Sequence, residues 1–201
     1  MSFGIVKTFE DKIAEYFGSK YAVAVDCCTH GLELSLRYTN ADKIIVPKQT
    51  YLSVPMLSNK LNIEREFIDD EWEDYYYITN NIVDAAVLWK QDSYIPNTLM
   101  VLSFQFKKHL NLGRGGAILT DDIDAWYTLK GMSYDGREPE SEEPWANQDI
   151  NTIGYHYYIT PETAYTGVQK LSNVDFQNKE VKKWSYKDYP VLTEFNIFKN
   201  G

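Results

Sequence analysis

With 201 residues, 44% of them hydrophobic and 24% charged, the chain has the length and composition of a soluble globular protein with one substantial core. A net charge of −9 argues against a nucleic-acid partner, because phosphate backbones demand concentrated Lys and Arg. No apolar run approaches the roughly 20 residues that a membrane span needs, and the amphipathic opening segment does not read as a secretion signal, so a cytoplasmic setting without a membrane partner is expected.

The first predicted element is a helix over 3–17, with Ile5, Val6, Phe9, Ile13, Tyr16 and Phe17 on one stripe and Gly18 as the stop. YAVAV at 21–25 suits a buried parallel strand, and a turn over 26–29 opens a helix containing Leu32, Leu34 and Leu36. KIIVP at 43–47 reads as a second strand, VPMLSNKL as a helix interrupted early by Pro55, and IEREFID at 63–69 as a third strand. Three more strands follow at 82–89, 99–104 and 115–120, then a helix over 121–132 with Asp121 or Asp122 as N-cap. The acidic, Pro- and Gly-containing stretch 133–151 reads as a mobile loop, Pro161 opens a helix that runs to Leu171, and 181–198 forms a small closing element. This alternation indicates a layered α/β fold with a mainly parallel sheet. The tyrosine clusters at 75–77 and 155–158 read as amphipathic packing at a surface or interface.

Four local features could carry chemistry. The turn DCCTHG at 26–31 follows a buried strand and opens a helix, presenting free N–H groups with the Thr29 hydroxyl beside them, an arrangement suited to a phosphate. Its two thiols, Cys27 and Cys28, are the only cysteines; adjacent residues rarely reach disulfide geometry and two thiols cannot complete a structural zinc site, so a reducing compartment and no metal are expected. PKQTY at 47–51 puts Tyr51 just beyond a strand end, where an aromatic can stack on a flat ring. Asp84 lies in the apolar run IVDAAVL; a buried carboxylate needs a partner, and a backbone cap and a functional role both remain open. Finally, SFQFKKHLNLGRGG at 103–116 places Ser103 at a strand end and Lys108 shortly after, followed by a glycine-rich turn without the G-K-S/T ending of a nucleotide phosphate loop.

Taken together, the four supply what a pyridoxal 5'-phosphate (PLP) site requires. The cofactor aldehyde needs a lysine, the pyridine nitrogen a carboxylate, the phosphate a helix N-terminus with hydroxyls, and the ring face a platform. The candidates are Lys108, Asp84, Cys28 and Thr29 with Ser103, and Tyr51.

The segments FEDKIAEYFGSKYAVAVDCCTHGLELSL, VPKQTY, IVDAA, SFQFKKHLNLGRGGAIL, MSYDGR and GYHYYITPETAYTGVQKL resemble, in order and over residues 3 to 171, the motifs of the DegT/DnrJ family of PLP-dependent sugar aminotransferases. The resemblance implies a three-layer α/β/α domain like the large domain of aspartate-aminotransferase-type (type I) PLP enzymes over 1–171, reduced by a βα unit, with 172–201 as a short remnant of the small domain. It makes Lys108 the Schiff-base lysine, Ser103, Cys28 and Thr29 phosphate contacts, Tyr51 the stacking residue and Asp84 the pyridinium partner. His156 takes the place of an Asn that reaches the phosphate from the partner subunit, which implies a homodimer with shared active sites. The implied reaction moves an amino group from a donor such as glutamate to a keto sugar, with nucleotide-linked sugars as the expected class and Lys108 as general base and acid.

The chain departs from the family in being short between Phe67 and Asp84 and after Leu171, in Val87 where the family has a Gln near the ring hydroxyl, and in Cys27-Cys28 for the usual Ser-Gly. A related PLP dehydratase is a second enzymatic reading, opposed by Lys108, since such relatives carry His there. A third reading is a non-catalytic member that binds PLP or acts as a partner subunit.

Overall fold

Hydrophobic alternation along the strands divides the core in two. The computed structural model describes residues 4–139 and 141–199, so Phe3, placed in the first helix by its periodicity, lies outside the described residues. In β1 (Tyr21–Val25), Val23 and Val25 point into one cluster and Ala22 and Ala24 into the other. The same two-residue alternation splits Leu99 and Val101 from Met100 and Leu102 in β6 (Leu99–Ser103), and Ile118 from Ala117 and Leu119 in β7 (Gly116–Thr120). Leucines of α2 (Cys28–Tyr38) and Ala125 and Leu129 of α4 (Ile123–Ser133) cover the first face, together with Val54 and Leu57 of α3 (Ser53–Leu61). Val6, Phe9, Ile13 and Phe17 of α1 (Gly4–Phe17) and Ala164 of α5 (Pro161–Leu171) cover the second. The result is the three-layer α/β/α arrangement expected.

The strand directions differ from expectation. The central sheet runs β1-β7-β6-β5-β4, where β4 is Tyr76–Tyr77 and β5 is Ile82–Asp84. Only β5 and β6 pair in parallel there; β7 is antiparallel to both β1 and β6, and β4 is antiparallel to β5. A parallel β2 (Lys43–Pro47) and β3 (Glu64–Ile68) form a separate two-stranded sheet. The sheet is therefore mixed, and not mainly parallel. A direct loop joins β6 to β7 with no crossover helix, and such a connection reverses the chain.

The run at 82–89 stops being a strand at Asp84, whose side chain accepts the Ala86 N–H and turns the chain. Ala85, Leu88 and Trp89 remain buried beneath α1 as loop residues. Asp122 caps α4 by accepting from the N–H groups of Asp124 and Ala125, and Thr160 caps α5 with Pro161 in its first turn. Two buried glutamates are paired: Glu10 accepts from Ala24 N–H at 2.7 Å and Lys130 at 2.5 Å, and Glu33 meets Arg37 at 2.9 Å and Lys60 at 2.6 Å. Past α5, the chain returns across the molecule through bridges Glu73↔Ser185 and Gln49↔Val191 and ends in three short 3-10 turns. Among the described residues no helix is long and apolar enough to cross a membrane.

Candidate active site

Because β7 opposes both its neighbours, β1, β5 and β6 run the same way and their carboxyl ends share one edge of the sheet. Such edges are where α/β proteins bind ligands. Here the edge opens into a cavity of about 590 Å³ lined by Cys28, Thr29, Tyr51, Asp84, Ser103 and Lys108, together with Tyr76, Val87, Arg114, Trp184 and Tyr189.

The α2 N-terminus forms one wall. Cys27 is its N-cap, with extended backbone and no side-chain cap bond to the helix N–H groups, so its side chain leaves the first N–H groups uncapped. Thr29 Oγ1 lies 2.7 Å from Ser53 Oγ, and Ser103 Oγ accepts weakly from Gln105 N–H at 3.4 Å. Burial raises the Cys28 thiol well above the usual range, and the Asp84 charge adds to this.

Asp84 is buried at the end of β5. Oδ2 accepts from Tyr76 at 2.6 Å, and Oδ1 accepts from Ala86 N–H at 3.0 Å with Cys28 Sγ at 4.0 Å. Burial raises its pKa, opposed by the Tyr76 and Ala86 bonds and by Lys108. Lys108 follows the turn closed by its own N–H on Gln105 O at 2.8 Å. Burial lowers its pKa against the pull of Cys28 and Asp84, which favours the neutral, nucleophilic amine. Its Nζ sits 5.4 Å from the centroid of the Trp184 ring.

Six of the seven residues singled out in the sequence thus meet at one cavity. His156 does not line it; its Nδ1 lies 3.1 Å from Asp135 Oδ2 on the exposed surface. The sequence reading missed Tyr76, hidden in a tyrosine cluster assigned to packing, where three identical residues give no sign of which one faces inward. It also missed Trp184 and Tyr189, which carry no local signal because only the chain's return brings them here.

A second grouping lies beside the α2 N-terminus, where the ligand atoms of Asp26, Cys27 and His30 fall within 4.8 Å of one another. His30 Nδ1 is 2.6 Å from Asp26 Oδ1, Arg114 donates to Asp26 Oδ2 at 2.7 Å, and Tyr157 stacks on the imidazole at 3.7 Å. Burial works against the charged ring, but bonds to Asp26 and Cys27 outweigh it and bring its pKa to about 9. A raised histidine pKa contributes stability that is complete below about 6.5 and lost as pH rises through about 9. Wild type should therefore lose roughly 1–2 kcal/mol relative to His30→Asn over that interval. Thermal midpoints of the two proteins across the pH range check this, and parallel curves would contradict it.

The sequence profile of the DegT/DnrJ/EryC1/StrS aminotransferase family matches residues 4–96 and 96–189. Among curated proteins the chain is similar to the uncharacterized protein MJ1066 of Methanocaldococcus jannaschii, at 23% identity over 85% of this chain and 58% of that protein. Among solved structures, AtS13 from Actinomadura melliaura superposes with a TM-score of 0.73 at 18% identity, covering 85% of this chain and 60% of its own. The sugar aminotransferase CalS13 from Micromonospora echinospora gives 0.70 at 16%, covering 85% and 61%. The 3-amino-5-hydroxybenzoic acid synthase gives 0.71 at 20%, covering 86% and 56%. The chain thus spans 56–61% of the length of each of these relatives and shares the fold of the three solved structures. By the extent of the profile match, it belongs to the DegT/DnrJ/EryC1/StrS aminotransferase family.

Proposed function

We propose that this chain binds pyridoxal 5'-phosphate in the Lys108 cavity and transfers an amino group from an amino acid such as glutamate to a keto sugar, with a nucleotide-linked sugar as the substrate class. The observation that carries the reading is the juxtaposition, at one cavity, of a half-buried lysine with lowered pKa and a buried carboxylate. The donor set fits the cofactor. Asp84 is an anion in an apolar setting suited to a cationic ring nitrogen, and the α2 N-terminus with Thr29 and Ser103 suits a phosphate.

When bound, the cofactor supplies an electron sink for exchange of the amino group. Lys108 would be the residue that holds the cofactor by its aldehyde, and its depressed pKa would keep the amine available as the base and acid of the proton exchange. Asp84 holds the ring nitrogen protonated, and Tyr51, exposed at the cavity rim, supports the ring face. Cys28 and Thr29 N–H groups and the Thr29 and Ser103 hydroxyls bind the phosphate. His156 reaches a partner's phosphate in a homodimer, which accounts for its place on the surface away from its own cavity. Residues 1–171 act as the cofactor-binding region and 172–201 as a short small-domain remnant.

A second reading, a PLP-binding member without catalysis or a partner subunit, is favoured by Val87, which lines the cavity where the family resemblance places a Gln. The discriminating experiment is a PLP titration followed by absorbance, with borohydride reduction and peptide mapping of wild type and Lys108→Ala. Wild type should give a visible band that reduction bleaches, with the label on the Lys108 peptide, and Lys108→Ala should give neither. A wild type without band or label defeats the proposal. A labelled wild type that transfers no amino group to keto sugars supports the second reading.

A further inference from the structure

Tyr76 stands directly across from Asp84 in the antiparallel register of β4 and β5. Its neighbours Tyr75 and Tyr77 are 38% and 44% exposed, while Tyr76 is 4% exposed, so the strand turns this one phenol inward. Tyr76 Oη donates to Asp84 Oδ2 at 2.6 Å, and Thr50 Oγ1 lies 2.5 Å from the same phenol oxygen. A phenol has one proton; with that proton on Asp84, Thr50 must be the donor to Tyr76. The chain therefore reads Thr50 to Tyr76 to Asp84, and all three side chains are buried.

Burial drives Asp84 towards its neutral acid, and the Tyr76 bond is the strongest force opposing that drive. Burial, and then the Asp84 charge, push the Tyr76 phenol well above its ordinary range, so it stays a donor throughout neutral pH. Two charge-supporting hydrogen bonds, from Tyr76 and Ala86, thus fix the carboxylate's orientation and leave it further acceptor capacity for a cationic ligand.

We propose that Tyr76, backed by Thr50, is the positioning residue that holds Asp84 ionised and oriented, so that the grip of this site on a cationic ring nitrogen is set from β4. This inference rests on the cofactor reading above, and it assigns Tyr76 a role exerted through Asp84.

The test is a double-mutant cycle on PLP affinity, measured by absorbance titration of cofactor-free wild type, Tyr76→Phe, Asp84→Asn and the double variant across neutral pH. It is paired with carbon NMR titration of the Asp84 carboxyl in cofactor-free wild type and Tyr76→Phe. Tyr76→Phe should bind PLP about tenfold more weakly, as expected for loss of a hydrogen bond to a charged group. The deficit should deepen as pH falls, the Asp84 titration should move upward, and the effect should vanish in the Asp84→Asn background. Thr50→Val should reproduce the pattern in weaker form, which covers the case of a Phe variant that folds poorly. Equal losses in both Asp84 backgrounds would mean that Tyr76 merely holds the fold together and would overturn the inference. So would a wild type that binds PLP beside a Tyr76→Phe variant with unchanged affinity, pH profile and carboxyl titration. A wild type that takes up no PLP defeats the cofactor reading and this inference with it.

Discussion

On the proposed function, Asp84→Asn should fold, load cofactor and transfer amino groups roughly 10²–10³-fold more slowly than wild type, the range seen when one preorganised electrostatic group is removed. The substitution keeps the volume and removes the charge. A carboxylate satisfies Tyr76 O–H and Ala86 N–H simultaneously because both of its oxygens accept. An amide has one accepting oxygen, so either the Tyr76 bond reverses, with the amide donating to the phenol oxygen, or one of the two bonds is lost. The fold tolerates this, since removing a buried charge also removes its desolvation cost. The chemistry does not, because an amide cannot hold a ring nitrogen protonated. Loss of the negative charge also removes one of the two interactions that hold the Lys108 pKa up against burial. Single-turnover transfer from amino donor to the loaded protein measures the effect. A rate within a few-fold of wild type, with normal loading, would remove Asp84 from its proposed role.

The second large effect concerns the backbone. A Cβ on Gly116 would lie 2.7 Å from Cys28 N and 2.8 Å from both Cys27 C and Leu102 O, with main chain on each of these sides. No flexible side chain can swing away, so Gly116→Ala must push the α2 N-terminus from the first residue of β7. Overpacking of this kind costs about 1–3 kcal/mol, and more where the backbone itself must move. The movement displaces Cys28 and Thr29, the proposed phosphate cradle, so the thermal midpoint and PLP affinity should fall together. Gly113→Ala is the control. Its φ of +78° makes the substitution strained, but nothing lies within 4 Å of the added methyl and the α2 N-terminus is untouched. It should lose about 1–2 kcal/mol of stability and keep its affinity for PLP. Equal affinity losses in both variants would disconnect the cradle from the β7 contact.

Much of this architecture was legible in the sequence, and the reasons for the misses are physical. Buried runs such as YAVAV and LMVLSF revealed the strands and the stripe of α1 a covering helix, because burial leaves a period, while Pro161 marked the start of α5. Strand direction leaves none, and the antiparallel insertion of β7 between β1 and β6 depends on which connection crosses the sheet. The run from Ala85 to Trp89 is apolar because it fills the core beneath α1, and hydrophobicity reports burial without specifying a ladder. Lys108, Asp84, Ser103, Thr29 and Tyr51 were accessible as candidates because each follows or ends a strand. Tyr76 was not, since the short strand that aims it at Asp84 becomes visible only through its partner β5. Trp184 and Tyr189 join the cavity by a long-range return that no local pattern encodes.

The pairing of β1 with β7 joins distant parts of the chain, and the cavity draws on both. No such cavity exists until the later strand lies beside the earlier one, so competence to hold a ligand requires that long-range pairing. Whatever occupies the cavity therefore binds the assembled sheet and no fragment of it. Its binding energy is added to the stability of the whole domain through mass action, making ligand concentration a control on how long the protein survives heat and proteolysis.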